Sequence, residues 1–72
     1  MREVKIHTEY IELQQFLKLI NAVQTGGEAK VYLYENTIYV NGIIESKRGR
    51  KLHPKDVVKT PDGEFVISNE NQ

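Results

Sequence analysis

The chain has 72 residues, no cysteine, and ten basic side chains against ten acidic ones. That length allows one domain and lies near the lower limit of what a single hydrophobic core sustains unaided. Disulfide staples are excluded, and so is a four-ligand structural zinc site, because the only histidines are His7 and His53.

No apolar run approaches the ~20 residues of a membrane-spanning helix. The N-terminus, Met1-Arg2-Glu3-Val4-Lys5, has no apolar signal core. A soluble, cytoplasmic protein without metal or cofactor is expected, and both histidines read as solvated or partner-facing side chains.

The neutral net charge hides an uneven distribution. Residues 46–59 hold Lys47, Arg48, Arg50, Lys51, Lys55 and Lys59 against Asp56, a net of +5, and the remainder carries −5. Such an asymmetry is the electrostatic footprint of a small nucleic-acid-binding domain. Composition alone is equally compatible with a solvated charged loop.

In chain order, Glu3-Val4-Lys5-Ile6-His7 alternates polar and apolar residues, which predicts a short strand with Val4 and Ile6 on one face. Leu13, Phe16, Leu17 and Ile20 follow at i, i+3, i+4 and i+7, one face of a helix over about 12–23. Glu12 is a weak N-cap with a charge that suits the helix dipole, and it puts Ile11 and Phe16 at the staple positions. Thr25-Gly26-Gly27 is expected to stop this helix.

Thr25-x-x-Glu28 matches a capping box, so a second helix is expected from Gly26. The amides of Gly26 and Gly27 could receive a phosphate there; a tight turn between packed helices is the plainer alternative. Lys30-Val31-Tyr32-Leu33-Tyr34 is ambiguous: β-branched and aromatic residues favour a hairpin arm, whereas the cap and the Ala29/Leu33 spacing favour a helix. Asn36 is a candidate left-handed helix end. Ile38-Tyr39-Val40 and Ile43-Ile44 flank Asn41-Gly42, the strongest two-residue hairpin signal. The basic loop follows. Pro54-Lys55-Asp56 and Pro61-Asp62-Gly63 predict turns, Val57–Thr60 and Glu64–Ile67 strands, and 68–72 a frayed tail. The expected core is Leu13, Phe16, Leu17, Ile20, Ala29, Leu33, Ile38, Val40, Val58 and Phe65.

A helix with Leu13 and Phe16-Leu17, then Thr25-x-x-x-Ala29, then Ile38-x-Val40-Asn41-Gly42, a basic loop and Asp56-Val57-Val58 resembles the RNA-binding domain named after small-subunit ribosomal protein S-four. The resemblance covers residues 12–60. Arg48-Gly49-Arg50-Lys51-Leu52 and Gly26-Gly27 narrow it to the small, stand-alone, bacterial YaaA-like members. It implies an α+β fold: two packed short helices followed by a small, mostly antiparallel sheet, with RNA held across the helix pair and the β-loop, the alpha-L motif. It favours the helix at 26–34 and makes Asn41 a structural turn beside the binding surface. The chain also departs from the family pattern. Larger members usually carry basic residues just before the first helix and at the start of the second, where this chain has Glu12 and Gly26. Asn36 and Lys55 stand where glycines are usual. Binding therefore falls more heavily on the loop at 47–51.

The leading expectation is a monomeric, non-catalytic module that contacts structured RNA, ribosomal or transfer, with the ribosome as a further partner. The residues expected to carry it are Gly26, Gly27, Lys30, Asn41, Lys47, Arg48, Arg50, Lys51 and Lys55. Arg48, Arg50 and Lys51 would meet phosphates and carry affinity without carrying stability; Lys47 and Lys55 would add field strength. Tyr32, Tyr34 and Tyr39 could stack on bases, although core or half-buried positions are the commoner use of tyrosine. The alternative is a protein-interaction adaptor of the ribosome or its assembly factors. Catalysis is disfavoured, because His53 has no orienting partner in the sequence and no nucleotide-hydrolase glycine motif is present.

Overall fold

The computed structural model describes residues 1–70. Strand β1 (Arg2–Ile6) buries Ile6 and half-buries Val4 on one face, as the alternation predicts. A two-residue strand, β2 (Ile11–Glu12), leads directly into helix α1 (Leu13–Leu19). Glu12 is the N-cap, and its amide donates to Oε1 of Gln15 at 2.9 Å.

Helix α1 ends earlier than the expected position near residue 23, and Thr25-Gly26-Gly27 is not what stops it. Asn21 adopts a left-handed conformation (φ 62°), and the amides of Ala22 and Val23 both fold back onto the Leu17 carbonyl at 2.9 and 3.3 Å. This reversal turns Val23 into the core and leaves Ile20, expected to be buried, half-buried at its edge.

Helix α2 (Gly26–Glu35) starts where the cap predicts, with the Thr25 hydroxyl accepting the Glu28 amide at 3.1 Å. Lys30–Tyr34 is therefore helical against its local β-propensity. The helix buries Ala29 and Leu33, one turn apart, in the core. Asn36 ends it without becoming left-handed: its backbone is extended (φ −129°, ψ 151°), and its backbone and side-chain amides both donate to the Tyr32 carbonyl, at 2.9 and 3.0 Å.

Strands β3 (Ile38–Val40) and β4 (Ile43–Glu45) form the predicted hairpin. Asn41 and Gly42 have φ of 52° and 82°, the double positive that this two-residue turn requires. Strand β5 (Lys51–Leu52) pairs with β2 in a separate antiparallel ladder. Strands β6 (Val57–Thr60) and β7 (Gly63–Asn69) complete a five-stranded sheet of order β1-β7-β6-β3-β4.

Within that sheet only β1 and β7 are parallel, so the α+β, mostly antiparallel architecture is as expected. The tail is not. Ser68 and Asn69 are strand residues in register with Lys5 and Ile6, and the Glu70 amide donates to the Ile6 carbonyl at 3.1 Å. Asn71 and Gln72 lie outside the described residues.

One apolar cluster joins helices and sheet. Phe16 of α1 meets Phe65 of β7 edge-on at 5.4 Å. Ile6, Val23, Leu52 and Ile67 belong to this core beyond the residues expected from the pattern. Among the described residues, no helix is long and apolar enough to cross a membrane.

Candidate functional site

Three segments converge at the start of α1. The first amides of a helix have no partner within it. Here the Leu13 amide donates to the Arg50 carbonyl at 2.8 Å and the Gln14 amide to the Arg48 carbonyl at 2.9 Å. The β2–β5 ladder, with Ile11 opposite Leu52 and Glu12 opposite Lys51, fixes the same approach from the side. The basic loop is therefore clamped by its backbone.

Glu45, at the end of β4, organises the loop from inside. Its Oε2 accepts the amides of Ser46 and Lys47, each at 3.1 Å, and its Oε1 accepts from the Arg50 guanidinium at 2.8 Å. The hydrogen bond from Arg50 holds the Glu45 carboxyl below the usual carboxylate range, aided by the two amides and opposed by partial burial. Arg50 is thus half-buried and ion-paired. Arg50 therefore has a contact within the loop that was not expected of it. Lys47, Arg48 and Lys51 are exposed.

Arg48 makes the link to α2, donating from its guanidinium to the Gly26 carbonyl at 3.1 Å. A Cβ on Gly26 would lie 3.0 Å from Oε1 of Gln14 and 3.9 Å from the Arg48 guanidinium nitrogen. Glycine at this position keeps the start of α2 open to the loop. Gly26 stands where larger members of the resembled family usually carry a basic residue, and Arg48 brings a guanidinium to that spot from the loop. Lys30 lies one turn along α2 on the same face as Gly26. With Val31, Leu33, Tyr34 and Ser46 it lines a groove of about 560 Å³ between helix and loop. Gly26, Lys30, Arg48 and the loop backbone are thereby brought together. Gly27 follows Gly26 in the first turn.

Asn41 and Lys55 form a second group. The Asn41 side-chain amide donates to Asp56 Oδ1 at 3.0 Å, and its carbonyl accepts the Val57 amide at 2.9 Å. The backbone amide of Asn41 donates to Val57 at 2.8 Å. Asn41 therefore ties the β3–β4 turn to the start of β6, the structural turn implied by the family resemblance. Lys55, in the adjoining turn, has φ of 80° and donates its amide to the Ile67 carbonyl at 2.7 Å. Asp56 locks that turn by accepting the His53 amide at 2.7 Å.

Two features escaped sequence reasoning. Glu45 was not singled out, although an acid directly before Ser46-Lys47 is placed to accept their amides. Tyr10 was not considered either: the Lys51 ammonium lies 4.8 Å from its ring centroid, and the His53 ring is 6.0 Å away. The tyrosines also separate. Tyr32 and Tyr39 are half-buried as expected, whereas Tyr34 is 91% exposed. Burial, followed by the hydrogen bond from its hydroxyl to Asp62 at 3.0 Å, pushes the Tyr32 phenol up from its ordinary range.

Among the described residues no cluster of three or more His, Cys, Asp or Glu side chains is arranged to hold a metal ion. The chain is 45% identical over 67 residues to a Bacillus subtilis (strain 168) protein described as a probable ribosome maturation protein, RlbA, covering 92% of this chain and 94% of that one. A family model described as the S4 domain matches residues 4–68, nearly the whole chain. With the two-helix surface, the hairpin turn at Asn41-Gly42 and the basic loop all in place, this chain belongs to the S4 domain family.

Proposed function

We propose that the protein is a non-catalytic RNA-binding module that contacts structured RNA, ribosomal or transfer, through the basic loop and the adjoining face of α2. The observation that carries this reading is the backbone clamp on the loop. Because the carbonyls of Arg48 and Arg50 accept amides of α1, the loop backbone is tethered while the side chains of Lys47, Arg48 and Lys51 remain exposed. Cations carried on a tethered backbone lose less loop entropy when phosphates bind.

Each residue then has a role. Lys47, Arg48 and Lys51 take phosphate oxygens, and Lys30 extends the positive track along α2. Gly26 and Gly27 keep the amide end of α2 approachable beside Arg48. Arg50 holds the loop through Glu45 and adds to the field. Asn41 positions the turn that carries Lys55. A relative described as a ribosome maturation protein supports the ribosome or its precursors as the setting, in the cytoplasm. Double-helical RNA is read mainly through backbone and shape, which suits such a surface. We propose a monomer as the binding unit.

The test is a salt titration against a structured RNA hairpin with the Lys47→Gln/Arg48→Gln/Lys51→Gln variant. Each lost phosphate contact flattens the plot of log affinity against log salt by roughly 0.7–0.9 units. Three lost contacts give a change of roughly 2–3 units. An unchanged slope and affinity in a folded variant would make the loop a solvated charge run.

A second reading, a protein adaptor, rests on Ile43 and Ile44, which are 70% and 64% exposed on the edge strand β4. It is favoured if no RNA binds and a ribosomal protein co-purifies through that edge.

A further inference from the structure

We propose that Tyr34 is a base-stacking residue, and that the groove between α2 and the basic loop takes an unpaired nucleobase of RNA. This inference rests on the RNA-binding reading above and names the feature of the RNA that the site selects.

A single exposed tyrosine is ordinary; the placement of this one is what carries the inference. Tyr34 is 91% exposed, and among the described residues its ring makes no hydrogen bond or ring contact. Tyr32 is committed by comparison, half-buried with its hydroxyl on Asp62. Gly26, Lys30 and Tyr34 follow one another at intervals of four residues along α2, so they form one stripe. Arg48 sits on the first of them.

The groove at the far end of that stripe is bounded by helix on one side and by Ser46 of the loop on the other. Its floor is apolar: Leu33 lies beneath, and Val31 is 54% exposed. An aromatic face and an apolar floor one helical turn from a lysine match the recognition chemistry of single-stranded nucleic acid. Bases stack on the ring while cations hold the flanking phosphates. Along a fully paired stem the bases are stacked on one another, so the ring meets no free base face there. The target would therefore carry a bulged or loop nucleotide beside a paired stem, with the stem phosphates on Lys47, Arg48 and Lys51.

Two RNA hairpins with the same stem separate this inference from the reading it rests on. One is fully paired; the other carries a single bulged 2-aminopurine. Wild type should bind both, prefer the bulged hairpin, and change the fluorescence of the 2-aminopurine. Tyr34→Ala should lose roughly 5- to 160-fold on the bulged hairpin, the range for truncating a stacked aromatic. Its affinity for the paired hairpin and its salt slope should stay at wild-type values, because no charge is removed. Tyr34→Phe should behave as wild type. Circular dichroism checks the fold of each variant, and alanine at an exposed helical site supports it. If Tyr34→Ala binds the bulged hairpin like wild type, or weakens both hairpins equally, stacking is overturned while RNA binding stands. If wild type binds neither hairpin, both proposals fall.

Discussion

The carbonyl oxygen of Arg50 accepts the amide of Leu13, the first residue of α1, at 2.8 Å, while its guanidinium reaches Glu45 at the same distance. One residue thus caps a helix with its backbone and closes its own loop with its side chain. The main chain and the Arg50 side chain hold the loop, while Arg48 reaches across to Gly26, Lys51 lies over Tyr10, and Lys47, Arg48 and Lys51 stay exposed.

The Glu45–Arg50 pair makes loop stability depend on pH. The Glu45 carboxyl is lowered in the folded protein, chiefly by the hydrogen bond from Arg50. A depressed carboxyl binds fewer protons folded than unfolded. Its contribution is therefore fully present above the unfolded value of about 4.3 and is lost as pH falls from there through the folded value. Glu45→Gln should be less stable than wild type at pH 7, by roughly 0.2–1 kcal/mol for a partly exposed pair. The gap should close as pH falls below about 4. Thermal melts of both proteins from pH 7 to 3 check this; a constant gap would mean the charge on Glu45 is irrelevant.

Asn41 should act on stability before it acts on binding. Its side chain makes two hydrogen bonds, and its φ of 52° suits asparagine or glycine. Asn41→Gly keeps the turn and loses the bonds to Asp56 and Val57, an expected cost of roughly 1–3 kcal/mol. Asn41→Ala adds the left-handed penalty, roughly 1–2 kcal/mol more. Urea unfolding measures both, and the order wild type, glycine, alanine is the expected ranking.

Lys55→Gly should raise or leave unchanged the melting temperature. Lysine at φ 80° is strained, and glycine removes that strain at an entropic cost of roughly 0.5–1 kcal/mol. The same variant reports on function: if Lys55 meets a phosphate, the salt slope should drop by about 0.7–0.9. A fall in melting temperature would mean the lysine side chain makes a stabilising contact that outweighs its backbone strain.

What the sequence revealed depended on the range of the interaction. The α1 face, the Thr25 cap and the Asn41-Gly42 turn are set by residues within about one turn of each other, and all were legible. The helix at Lys30–Tyr34 needed the family pattern, because local β-propensity points the other way and burial of Ala29 and Leu33 decides it. The early end of α1 hinged on one left-handed asparagine among several candidates. The strand at Ser68-Asn69 was invisible because its partner, β1, lies at the opposite end of the chain. At the site, charge density located the loop. The division of labour within it, with Arg50 inward and Arg48 on Gly26, depends on Glu45 and on contacts across 22 residues.

The parallel pairing of β1 with β7 also sets an order of events during synthesis. Among the described residues β1 comes first in chain order, and its neighbour in the sheet, β7, comes last. While the polypeptide is still being extended, residues 2–6 have no partner, whereas α1, α2 and the β3–β4 hairpin need only nearby sequence. Those local elements can collapse early. Closure of the sheet waits for residues 65–69, a high-contact-order step that loop-closure entropy makes slow. Until then Val4 and Ile6 lack the strand that covers their edge, so aggregation is favoured in the interval before residues 65–69 pair with β1.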